Sequence, residues 1–204
     1  MRNQGWSAKL NGDRKYLFLV SSARREGNSE TLARHAAAGL PAGAGSEWLH
    51  LRDLPLPMFA DIRHEGDGVY PQPIGNEKIL LEATLAATDL VFVAPLYWYS
   101  LPATAKLYLD YWAAWMRVPG ADFRQKMKNK RLWVISVNSE DTGDVAEPLV
   151  GSLRRSADYM GMEWGGVLLG YGNRPNDVLA NAAVLAQAKS FFDEAGLAAG
   201  AAGV

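Results

Sequence analysis

Five short apolar runs, each ending in a polar loop and followed by a stretch of helical composition, set the pattern of this chain. The first, 15–22 (KYLFLVSS), is rich in strand formers and runs into Ala23-Arg24-Arg25-Glu26-Gly27-Asn28-Ser29. Asn28 or Ser29 suits an N-cap for the alanine-rich segment 30–40, which Pro41, Gly43 and Gly45 terminate. A weaker strand is expected over 47–51 (EWLHL), followed by the proline-punctuated DLPLPMF and a polar stretch reaching Pro73. Loops of that length usually serve a function or an interface. Helical composition returns over 77–87, and 89–94 (DLVFVA) is nearly continuous in apolar residues, as a strand covered on both faces requires. An aromatic-rich helix is expected over 103–116, a buried strand over 132–137 (LWVISV), a helix over 145–160, a fifth strand over 163–169 and a closing helix over 178–194.

Strands of this type alternating with helices imply right-handed crossovers and a parallel sheet with helices on both faces. Five strands and five helices suit an α/β, flavodoxin-like three-layer sandwich with strand order 2-1-3-4-5. In that order the chain reverses direction between strands 1 and 3, and a ligand belongs in the crevice at their carboxyl ends, where the loops after strands 1, 3 and 4 open. One domain is expected over 15–195, with an N-terminal extension over 1–14 and a flexible, small-residue tail over 196–204.

Composition narrows the function classes. Lys plus Arg total 21 against 22 Asp plus Glu, a net charge of −1, which argues against a protein whose business is coating nucleic acid or anionic lipid. The absence of cysteine excludes a thiol nucleophile, a cysteine-ligated metal and a dithiol relay. The first 14 residues hold no apolar core of a signal peptide, and no stretch approaches the roughly 18 apolar residues of a spanning helix. A cytoplasmic protein with no nucleic-acid or membrane partner is expected.

The loop after the first strand carries hydroxyls, an amide, two guanidinium groups and backbone N–H groups at a helix start, a set suited to a phosphate dianion, with Gly27 letting the backbone curl close. The same residues also make an ordinary capped βα turn. No GxxxxGK[ST] is present, and the nearest approach to GxGxxG, at Gly43 and Gly45, follows a helix instead of a first strand. The loop Pro95-Leu96-Tyr97-Trp98-Tyr99-Ser100 sets three successive aromatics at the end of a buried strand; consecutive positions cannot all face the core, so a planar ligand is one reading and packing under the next helix the other. Tyr108, Tyr111, Trp112 and Trp115 recur at helical spacing and suit either the core or a subunit interface. His35, His50 and His64 have no metal-ligand spacing, no GxSxG elbow exists, and Glu140 with Asp141 reads first as a solvated loop. No catalytic side chain and no metal are assigned.

SSARREGNS before an alanine-rich helix, and APLYWYSLPATAKLYLDYW after the third strand, resemble the flavodoxin-like NAD(P)H-dependent FMN reductase and quinone reductase superfamily. The resemblance runs from Lys15 to about Phe192, with Ser21 and Ala23 standing where the family often has glycine and proline. It implies non-covalent FMN, with the phosphate on Ser22, Arg24, Gly27, Asn28 and Ser29 and the ring bordered by Pro95, Leu96, Tyr97, Trp98, Tyr99, Asn138 and Ser139. Lys106 and Asp110 match charged positions of the following helix. It also implies hydride transfer from NAD(P)H through FMN to a quinone or similar small acceptor, in a homodimer or homotetramer, with residues 52–75 facing substrate or partner. The alternative is a flavodoxin-type electron carrier that does not oxidise NAD(P)H; such carriers are often strongly acidic, unlike this chain.

Overall fold

A computed structural model describes residues 14–140 and 143–193. The tail over 196–204, nearly all of the proposed extension, Asp141 and the last residue of the expected closing helix lie outside the described residues. Five parallel strands, β1 (Lys15–Val20), β2 (Gly45–His50), β3 (Asp89–Val93), β4 (Arg131–Asn138) and β5 (Glu163–Tyr171), form one sheet in the order β2-β1-β3-β4-β5. The helices are α1 (Asn28–Ala37), α2 (Gly75–Ala86), α3 (Ala103–Trp115), α4 (Phe123–Met127), α5 (Glu147–Met160) and α6 (Ala182–Lys189). The expected order holds, and the described residues contain six α-helices where five were expected.

Alternate residues of each strand serve two cores, as the period of two demands. Leu17, Leu19, Leu90, Phe92, Leu132 and Val134 face α2, α3 and α5; Tyr16, Phe18, Val20, Val91, Val93, Trp133 and Ile135 face α1 and α6. One position shows how tight this is. A Cβ on Gly165 would lie 2.3 Å from the Trp133 ring, and the register of β5 slips beside it, so the glycine and its bulge make the space that Trp133 fills. Trp133 then donates to Asp89 at 2.8 Å, and Arg14 forms a buried ion pair with the same carboxylate.

Two sequence expectations need correction, and one open alternative is decided. The α1 N-cap is Gly27, not Asn28 or Ser29, and no side chain caps it. The closing helix is split into a 3₁₀ turn at Asp177–Ala180 and α6, because Asn181 Oδ1 accepts from Val184 N at 3.1 Å and starts the helix anew. Tyr108, Tyr111, Trp112 and Trp115 are all buried within the chain, packed edge-on or tilted against one another and against Phe92 and Phe123, so they give no argument for a subunit interface.

Candidate functional site

Parallel strands place all their following loops on one edge, and hydrogen bonds beyond the strands stitch these loops together. Ser21 N donates to Val93 O at 3.0 Å, Ala94 N to Ile135 O at 3.0 Å, Leu96 N to Val137 O at 3.2 Å and Gly172 N to Asn138 O at 2.9 Å. Thr104 Oγ1, in the first turn of α3, donates to Ser21 O at 3.3 Å. The loops after β1, β3, β4 and β5 are therefore one assembly, and the first sits between β2 and β3 at the topological switch.

At its centre is the N-terminus of α1, whose partial positive charge and uncapped N–H groups suit an anion. Ser22 Oγ accepts from Arg24 N at 3.1 Å, which leaves its own O–H free to donate. Ser29 is buried and its Oγ has no partner, a costly state for a hydroxyl unless a ligand reaches it. Gly27 is held close: a Cβ there would meet Ser22 Oγ at 3.1 Å. Asn28 Nδ2 donates to Arg174 O at 2.8 Å and so ties α1 to the loop after β5. Its backbone N–H remains at the helix start, and its buried Oδ1 has no partner. Arg24 is exposed, with Nη1 3.5 Å from Asn173 O, while Arg25 is paired with Asp53 at 2.9 Å. Glu26, the residue that sits least well beside an anion, has its side chain in solvent.

The aromatic loop is a tight turn. Tyr97 and Ser100 exchange both backbone hydrogen bonds, at 3.2 and 3.1 Å, and Trp98 and Tyr99 between them have φ of 50° and 61°. Two successive bulky residues in the left-handed region are strained, and strain of this kind gathers at functional sites. Trp98 is 93% exposed and Tyr97 and Tyr99 are also exposed, whereas Pro95 and Leu96 are half-buried below them. Asn138 is buried at the end of β4 and Ser139 is exposed beside it. In the long 51–74 connection Tyr70 stacks on Phe59, Phe59 packs edge-on against Tyr111, and Tyr111 Oη donates to Pro57 O at 3.1 Å, leaving Met58 outside. Lys106 and Asp110 form an exposed i,i+4 pair.

Sequence reasoning missed the partners of the first loop. Arg52 Nη1 donates to Ala23 O at 2.8 Å, Asn173 and Arg174 hold the loop from beyond β5, and Glu30 holds it from the first turn of α1. The Gly/Asn/Pro cluster at 172–176 marks a turn, but nothing in its spacing points at α1. Among the described residues, no three His, Asp or Glu side chains converge as metal ligands, and no helix is long and apolar enough to cross a membrane.

Comparison with known proteins adds independent evidence. YwqN of Bacillus subtilis (strain 168), named as an NAD(P)H-dependent FMN-containing oxidoreductase, is 32% identical over 175 residues, 85% of this chain and 94% of the relative. The structure of the Trp repressor binding protein from Bacillus subtilis superposes with a TM-score of 0.69 at 27% identity, covering 88% of this chain and 98% of that one. An FMN-dependent NADH-azoreductase from Bacillus anthracis, solved in complex with FMN, shares the fold at 17% identity and a TM-score of 0.58, covering 87% and 97% of the two chains. The family model described as flavodoxin-like fold matches residues 14–193, beginning at the buried Arg14, and with the strand order above it establishes that this chain belongs to the flavodoxin-like fold family.

Proposed function

We propose that this chain is an FMN-dependent oxidoreductase that binds FMN non-covalently at the carboxyl edge of the sheet and passes hydride from NAD(P)H to a small acceptor of the quinone type. The observation that carries this reading is the buried, unpartnered Ser29 hydroxyl at an uncapped helix N-terminus, set in one hydrogen-bonded assembly with a strained, exposed aromatic turn. A molecule with a phosphate at one end and a flat ring at the other answers both features. The name of the Bacillus subtilis relative and the FMN complex of the azoreductase point the same way.

The residues present fit the group. Ser22, Ser29 and the first N–H groups of α1 would hold the phosphate, and the exposed Arg24 would exchange its contact with Asn173 O for one to the phosphate and supply charge. Leu96 to Tyr99 and the Asn138-Ser139 end of β4 would border the ring, and the Tyr97–Ser100 hydrogen bonds would keep that border rigid. When bound, FMN supplies the redox chemistry, so no side chain of the protein is required as nucleophile or base. The protein positions the ring, and the exposed indole of Trp98 offers a flat apolar surface against which donor or acceptor can rest.

An anaerobic visible spectrum of the FMN-reconstituted protein tests this. Bleaching by NADPH or NADH, followed by recovery on adding a quinone, is the expected result. Retained flavin that neither nucleotide bleaches would identify an electron carrier, and no retained flavin would remove the cofactor.

A further inference from the structure

We infer that Glu30 is a positioning residue for the phosphate loop: its carboxylate holds Glu26 in a left-handed conformation that leaves the N–H groups at the start of α1 for the ligand. This rests on the FMN reading above. Glu30 is 2% exposed, and a buried carboxylate in the first turn of a helix meant for a dianion needs a reason. Favourable interaction with the helix dipole explains an acidic residue there, but not its burial.

The contacts supply the reason. Glu30 is the third residue of α1, the position from which a capping box would reach back to the N–H of the N-cap, Gly27. Instead its Oε2 accepts from the N–H of Glu26, one residue earlier, at 3.1 Å. Glu26 has φ of 52°, which a residue with a side chain adopts only when its surroundings enforce it. Glu30 thus fixes the bend before the helix and does not spend its carboxylate on the N-cap N–H. Its other oxygen is 2.7 Å from Arg34 Nη2 on the next turn and 3.5 Å from His50 Nε2 at the end of β2. The Arg34 guanidinium offsets its charge, so a second anion can approach the same helix end.

Three variants separate the hydrogen bond from the charge. Glu30→Gln keeps an oxygen that can accept from Glu26 N–H but loses the charge. Glu30→Asp keeps the charge but is one methylene too short to reach. Glu30→Ala loses both. Apo protein is titrated with FMN and, separately, with riboflavin, which shares the ring but has no phosphate, following flavin fluorescence. Glu30→Asp and Glu30→Ala are expected to weaken FMN by about 5- to 30-fold, with riboflavin within about 2-fold of wild type. Glu30→Gln is expected to stay within about 3-fold for both ligands. Equal losses for the two flavins would make Glu30 a general structural residue and overturn the inference. So would Glu30→Gln matching Glu30→Asp, or an unchanged FMN affinity in Glu30→Asp, a variant that keeps the charge should Glu30→Ala not fold. Wild-type protein that binds no FMN would instead overturn the functional reading, and this inference with it.

Discussion

Replacing Ser29 by alanine should stabilise the free protein and weaken its hold on FMN, two effects of opposite sign from one oxygen atom. Ser29 is 2% exposed, and its Oγ has no partner. A buried hydroxyl without a hydrogen bond costs about 1–3 kcal/mol, and alanine in the same space removes that cost without opening a cavity larger than the atom itself. A gain of about 1 kcal/mol corresponds to a rise of about 2–4 °C in Tm for a domain of this size. With FMN bound, the hydroxyl would donate to a charged phosphate oxygen, a contact worth about 1.5–3 kcal/mol, so the variant should bind FMN about 10- to 150-fold more weakly. Ligand stabilisation grows with the ratio of FMN concentration to Kd. The melting curves of the two proteins should therefore cross: the variant melts higher without FMN and lower at saturating FMN. Circular dichroism melts across an FMN series read this directly. A variant less stable without FMN would mean that the hydroxyl is already satisfied, and parallel curves that never cross would mean that Ser29 does not meet the phosphate; either result refutes the reasoning.

Three further changes probe the rest of the molecule. Trp98→Gly removes an indole that is 93% exposed and relieves a φ of 50°, so Tm should hold or rise by about 2–4 °C while KM for a quinone rises in steady-state assays; a clear loss of stability would mean the indole is packed. Trp115→Ala empties a fully buried site between Tyr108 and Phe123 and should cost about 3–5 kcal/mol in urea unfolding, whereas an unchanged midpoint with altered sedimentation would put the ring at a subunit interface. Burial raises the Glu77 carboxyl above its ordinary 4.5, partly offset by the hydrogen bond from Trp115. The folded state then holds that proton more tightly than the unfolded chain, so Glu77 costs stability as pH rises through the interval from 4.5 to the raised folded value. Glu77→Gln should flatten this dependence, gaining on wild type between pH 4 and pH 7 in paired urea titrations, and curves with equal pH slopes would contradict it.

The sheet was legible because its strands are covered on both sides. Apart from Lys15 at the exposed start of β1, KYLFLV, DLVFV and LWVISV are buried throughout, the pattern of strands in the middle of a parallel sheet. Edges were read less well for the same reason. β2 is half-exposed and begins two residues before the expected start, since a weakly apolar strand is defined by its pairing with β1 more than by its own side chains. The five-residue α4 shows too little of a helical period to be seen, and the break before α6 depends on Asn181 turning its side chain onto its own helix.

The site divides along the same line between local and distant information. Which loops meet at the crevice follows from strand order, and which residues carry hydroxyls or rings follows from composition, so Ser22, Ser29 and Tyr97 to Tyr99 could be placed at that edge from the sequence. What holds them could not, because Asn28 is bonded to Arg174 and Arg24 lies against Asn173 across about three-quarters of the chain. The two aromatic groups make the distinction physical. Rings three and four apart on α3 share a face, and burying that face satisfies all four at once. Tyr97, Trp98 and Tyr99 are consecutive, no single face can take them, and the turn adds left-handed strain to exposed apolar surface. Both costs fall on one turn, and the Tyr97–Ser100 hydrogen bonds keep it from relaxing. A fold gains nothing in stability from such a turn, and that is the strongest reason to look for a ligand with a flat face at the carboxyl edge of β3.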